Sequence, residues 1–109
     1  MNDVLKSLHE RKSVRVFEDK KISDADKELI LLAAVAAPTA GNQQLYTILD
    51  ITDQDIKDKL AISCDNQPFI AKATMVLIFC ADFQKWYDAF LVGGCNPRLP
   101  GAGDFVLAV

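Results

Sequence analysis

The sequence predicts an α+β fold with three layers, helices covering both faces of a central sheet. Three observations lead there. Two apolar, β-favouring segments, Leu45–Ile51 and Thr74–Ala81, have strand length and strand composition. Apolar residues spaced three and four apart mark helices before, between and after them. Proline, glycine and asparagine clusters separate these segments, so each element is closed by a turn. Periodicity alone leaves parallel and antiparallel pairing of the two strands open.

The chain has 109 residues, the size of one domain. Half of it is hydrophobic and a quarter charged, which excludes compositional disorder. The net charge of -3 gives no general attraction to nucleic acid. No run reaches the roughly 18 apolar residues of a membrane span, and the N-terminus has no apolar signal core. The expected location is cytoplasmic. Cys64, Cys80 and Cys95 form no CxxC pair, and His9 is the only histidine. No zinc site, disulfide framework or hydrolase triad can be built from that set. Cys80 lies in an apolar run and is expected to be a buried small hydrophobe.

Residues 3–10 read as a short helix. Asn2 or Asp3 can cap it, and Val4, Leu5 and Leu8 share a face. His9, near its end, reads as a surface or capping residue. Arg11-Lys12-Ser13-Val14-Arg15-Val16-Phe17 follows. In an extended chain, Arg11, Ser13 and Arg15 point one way and Val14 and Val16 the other, toward a core. Two guanidinium forks flanking a hydroxyl suit a phosphate. The same cations also suit a solvated helix C-terminus, where they complement the dipole.

Ser23 opens a second helix over 23–37. Asp26 completes a capping-box spacing, and Pro38 is the stop. The run Leu29–Ala37 is apolar almost all round and is expected to be deeply buried. Pro38-Thr39-Ala40-Gly41-Asn42-Gln43-Gln44 is small, uncharged and amide-rich. It reads as a plain turn or as a wall of backbone and side-chain amides able to pair with a flat heterocycle. After the first strand, Thr52 is the expected cap of a third helix whose core face is Ile56, Leu60 and Ala61. Cys64–Gln67 is a polar break, and Pro68 fits the first position of a helical turn through Lys72. The second strand, almost unbroken in its hydrophobicity, is expected to be covered on both faces. Asp82–Phe90 reads as a helix whose aromatics, Trp86, Tyr87 and Phe90, pack. A Gly- and Pro-rich loop, Gly93–Gly101, leads to an apolar helical run ending at Val109 without a C-cap. That ending is expected of a chain cut inside a buried element, the N-terminal portion of a single longer domain.

Four features stand in a definite order. Arg-x-Ser-x-Arg-x-aromatic comes first, at Arg11–Phe17. An alanine-rich helix then ends in Ala37-Pro38-Thr39-Ala40-Gly41-Asn42-Gln43-Gln44. Next come Asn66-Gln67-Pro68-Phe69-Ile70-Ala71-Lys72-Ala73 and an apolar strand, and last Gly101-Ala102-Gly103-Asp104 at a helix start. In this order they resemble the N-terminal part of the FMN-dependent nitroreductases, nearer the flavin reductase branch. The resemblance implies a three-layer fold with a mainly antiparallel sheet, here incomplete. It implies that Arg11, Lys12, Ser13 and Arg15 hold the FMN phosphate, ribityl chain and pyrimidine edge. Pro38, Thr39, Ala40, Asn42 and Gln44 would line the flavin, partly from a second subunit, and Gln67 would reach the ring. It further implies a homodimer and ping-pong hydride transfer. NADPH or NADH would be the donor, and nitroaromatics, quinones or flavins the small-molecule acceptors. FMN carries that chemistry, so no catalytic side chain is expected. Lys12 stands where some relatives have histidine or arginine. The alternative is a non-catalytic fragment that self-associates and binds FMN weakly or not at all.

Overall fold

The computed structural model describes residues 1–109. Its elements in chain order are α1 (Asp3–Glu10), α2 (Asp24–Val35), a 3₁₀ turn (Ala40–Asn42), β1 (Tyr46–Asp50), α3 (Gln54–Ser63), α4 (Pro68–Lys72), β2 (Leu77–Ala81), α5 (Gln84–Val92) and α6 (Ala102–Ala108). The architecture is α+β. β1 and β2 pair antiparallel, with Tyr46 opposite Ala81, Ile48 opposite Phe79 and Asp50 opposite Leu77. Two further bonds lengthen the ladder, Asp82 N–H to the Leu45 carbonyl and Ile51 N–H to the Val76 carbonyl, both 2.9 Å.

Local chemistry sets the helix ends. The Asn2 side chain accepts from Leu5 N–H at 2.9 Å and caps α1. Ser23 caps α2 through Asp26 N–H at 3.1 Å, and its hydroxyl donates back to the Asp26 carboxylate at 2.7 Å. The α2 helix ends at Val35, with Ala36 as its cap, two residues earlier than the proline stop predicts. The cap of α3 is Asp53 rather than Thr52. Its carboxylate accepts from Ile56 N–H at 3.0 Å, a stronger acceptor than a hydroxyl one residue earlier. Pro68 opens α4, where its missing N–H leaves no bond unmade.

The elements form an open frame. The radius of gyration is 17.7 Å, against about 13 Å for a closed domain of this length. The packed pairs are β1 with β2 and α3 with α4, and the buried apolar residues are Leu45 and Ala61. Four burial expectations are therefore corrected. The α2 helix is not deeply buried, since Leu29 is 64% exposed and Leu32 and Val35 are also open. Val14 and Val16 face no core, Val16 being 87% exposed, and residues 11–17 join no sheet. Ile56 of α3 is exposed. β2 is open on one face at Phe79, and Cys80 is half-buried. The physical reason is common to all four. Apolar character fixes which face seeks cover, but no other element of this chain lies against those faces.

Lys57 is buried at 7% exposure between α3 and α4. Its ammonium donates to the Ala73 carbonyl at 3.2 Å, and its stem fills the space beside the α4 cap. Lys27 and Asp50 pair at 2.6 Å and tie α2 to the end of β1.

Candidate functional site

Arg11, Lys12, Ser13 and Arg15 lie in the irregular segment between α1 and α2, and all four are exposed. The ion pairs of the chain are Lys6–Glu10, Lys27–Asp50 and Arg98–Asp104, so no carboxylate lies within 4.0 Å of Arg11, Lys12 or Arg15. Arg15 sits over Phe69 of α4, its guanidinium carbon 5.9 Å from the ring centroid. Phe17 meets the same ring edge-on at 6.2 Å. These residues, with Glu18, Asp19, Pro68, Lys72 and Thr74, line a cleft of about 620 Å³. The cleft thus offers a ligand two cations, two carboxylates and the rings of Phe17 and Phe69. The basic segment and α4 meet here although about fifty residues separate them in sequence.

The amide loop is built from left-handed backbone. Gly41, Asn42 and Gln44 have φ of 59°, 52° and 50°. Only glycine adopts this region without cost, and asparagine tolerates it better than glutamine. Local bonds hold the shape. Thr39 Oγ1 accepts from Gln44 N–H at 3.1 Å, and Asn42 N–H donates to the Thr39 carbonyl at 3.0 Å. The Ala40 and Gly41 N–H groups have no acceptor within the chain. Consecutive free amides beside a left-handed residue form a concave set of donors. The Asn42 and Gln44 side-chain amides are also unengaged within the chain. Pro38 and Ala40, flanking Thr39, are exposed.

Gln67 caps α4 from a second left-handed turn, Asp65 and Asn66 having φ of 66° and 51°. Its side-chain N–H donates to the Cys64 carbonyl at 2.7 Å, which leaves the amide oxygen as a free acceptor. Pro68, the next residue, lines the Arg15 cleft, so the structure brings Arg15 and the first turn of α4 together, and Gln67 itself is not among the lining residues. The amide loop stands apart from that cleft. Thr39 lines a second cavity, with Tyr46 and Val109, and Asn42 a third, with Trp86; the three share no residue.

Sequence reasoning missed two contributors. Trp86, read as packing, donates its indole N–H to the Gln43 carbonyl at 2.7 Å. The sequence signal was only that an indole N–H seeks an acceptor, without showing which one. Asp104 is the buried acid of the chain, 5% exposed. It receives both nitrogens of the Arg98 fork, at 2.7 and 2.6 Å, and Gly101 N–H at 2.8 Å. Those bonds, the Arg98 fork first, hold its pKa down at about 2. The Gly101-x-x-Asp104 spacing was the sequence signal. Asp82 is also shifted downward, first by the Thr47 hydroxyl bonded to it.

The nitroreductase family model matches residues 8–103, which include the basic segment, the amide loop and Gln67. FMN reductase (NAD(P)H) of Bacillus subtilis is 34% identical over 85 residues, 78% of this chain and 34% of that protein. NADPH-flavin oxidoreductase of Vibrio harveyi is 29% identical over 85 residues, 78% of this chain and 35% of that protein. The solved structure of B. megaterium NfrA2 superposes with a TM-score of 0.90 at 28% identity, covering 99% of this chain and 44% of that one. The chain spans about a third to a half of the length of the curated relatives it matches.

Proposed function

This chain belongs to the nitroreductase family, and on that premise we propose that it forms the FMN-holding part of an NAD(P)H-dependent flavin oxidoreductase. One observation supports this above the others: both motifs keep polar donors that no acceptor of the chain takes up. Arg11, Lys12 and Arg15 have no carboxylate partner. The Ala40 and Gly41 amides have no acceptor. Such a set fits a ligand with a dianionic phosphate at one end and a ring rich in carbonyls and ring nitrogens at the other.

Arg11, Ser13 and Arg15 would bind the phosphate, with Lys12 adding charge. Arg forks suit this task because they donate in parallel pairs. The Thr39–Gln44 loop and Gln67 would orient the ring through amide donors and acceptors, with Pro38 and Ala40 giving apolar contact. When bound, FMN supplies two-electron transfer between NADPH or NADH and a nitroaromatic, quinone or flavin acceptor. The role of the chain is to hold, orient and shield, and no side chain here is assigned a proton transfer. Separate clefts for the basic segment and the loop fit a homodimer, in which one subunit supplies the phosphate end and its partner the ring wall. A cytoplasmic setting suits the nicotinamide donor, and no helix is long and apolar enough to cross a membrane.

The test is isolation of the natural full-length protein. A yellow preparation that releases FMN on heating, and that oxidises NADPH or NADH when a nitroaromatic is added, is expected. A colourless protein that takes up no added FMN would refute the proposal. One observation favours the second reading for the 109-residue chain on its own, self-association with weak or absent FMN binding. The open apolar faces of α2, β2 and α6 need cover. Sedimentation of that chain as a compact monomer at all concentrations would exclude this reading.

A further inference from the structure

The first turn of α5 reaches back to both ends of the amide loop's exit. Trp86 Nε1–H donates to the Gln43 carbonyl at 2.7 Å. Lys85 Nζ donates to the Tyr46 carbonyl at 2.5 Å and lies 5.3 Å from the Tyr46 ring centroid. Left-handed Gln44 sits between those two anchors. The other bonds of residues 39–44 run within residues 39–46, and the strand that follows is held separately, by Asp82 N–H on the Leu45 carbonyl and the Tyr46 hydroxyl on the Val35 carbonyl. A stretch holding Asn42 and Gln44 in a costly backbone region persists only when its surroundings over-determine it. Local bonds alone move with the loop; the α5 bonds tie it to the layer that follows β2. Gly41, Asn42, Gln43, Phe83, Trp86 and Phe90 line a half-open hollow of about 230 Å³ between the loop and α5.

We propose that Lys85 and Trp86 are positioning residues for the flavin site, fixing the Thr39–Gln44 loop in the left-handed form that turns its amides toward the ring. This rests on the flavin reading above. Neither residue touches the flavin in this account; both act through the loop backbone. Trp86 is the more consequential, because its bond falls inside the loop, at the Gln43 carbonyl.

The test uses Trp86→Phe and Lys85→Met in the natural full-length protein. The first keeps a ring and removes the donor; the second keeps the stem and removes the charge. Backbone hydrogen exchange without flavin is the first readout. Exchange at Asn42, Gln43 and Gln44 should accelerate about two- to tenfold in Trp86→Phe, the loss expected for one neutral hydrogen bond. The β1 and β2 amides should not change. Affinity for FMN and for riboflavin should fall by the same factor, since the loop meets the ring and not the phosphate. The visible circular dichroism of bound flavin should change with it. Lys85→Met should act in the same direction and, at an exposed position, keeps the test open if Trp86→Phe does not fold. Unchanged loop exchange in the variants overturns the inference, and so does faster exchange with unaltered flavin affinity. A wild-type protein that binds no flavin removes the flavin reading itself and this role with it. Normal wild-type binding with unaltered variants removes this inference alone.

Discussion

Arg15→Ala separates the phosphate end of the proposed site from the ring end. Arg15 is exposed, has no carboxylate within 4.0 Å and shares its cleft with Lys72, Glu18 and Asp19. Its guanidinium is therefore available to a phosphate, and removing a charge-assisted contact should cost about 1.5–3 kcal/mol. At 1.4 kcal/mol per tenfold, FMN affinity falls about ten- to hundredfold. Lys72 keeps one cation in the cleft, which places the loss toward the lower end. The variant also loses the contact over Phe69 at 5.9 Å, worth about 0.5–1 kcal/mol at an exposed site. Stability should thus fall only slightly. Arg15→Lys should restore part of the affinity, because an ammonium keeps the charge but not the fork. Riboflavin, lacking the phosphate, should bind wild type and variant alike. Fluorescence titration of both flavins against the natural full-length protein reads the difference. Equal loss of riboflavin and FMN would refute the reasoning, since Arg15 would then support the fold or the ring; no loss of either would place the phosphate elsewhere.

Asp53→Ala should destabilise by about 1 kcal/mol through loss of the α3 cap, whereas Thr52→Ala should stay within about 0.5 kcal/mol; denaturant midpoints distinguish them. Gly41→Ala should cost about 1–2 kcal/mol. The added methyl meets Gln43 Cγ at an ordinary 3.6 Å, so the cost is conformational, and Gly41→Asn should be milder. Asp104, held at about 2 by the Arg98 fork and Gly101 N–H, lies below its ordinary value of 3.8. Its contribution is therefore complete above about pH 4 and lost as pH falls toward 2. Amide exchange in α6 should accelerate in that window, and Asp104→Asn should abolish the pH dependence.

What the sequence made legible was local. Asn2 and Ser23 act at helix starts through bonds spanning three residues, and Pro68 acts through its missing N–H, so their residue types alone announce them. Antiparallel pairing of β1 and β2 came from the ordered motifs, because period-two alternation is identical in either direction. Burial was not legible, because it depends on what lies opposite. Leu29 and Phe79 are apolar and open for want of a covering element. Lys57 is charged and buried because its stem fits between two helices and one carbonyl receives its head. In the candidate site, residue types were readable and juxtaposition was not. Nothing in the sequence places Arg15 over Phe69, or Trp86 under Gln43, since both contacts are set by how distant elements dock.

Equilibrium dialysis of FMN against the natural full-length protein tests the central claim most directly. Saturable binding at one FMN per chain is expected, weakened in Arg15→Ala and competed by riboflavin only at higher concentration. An absence of saturable FMN binding by the wild-type protein would contradict the account.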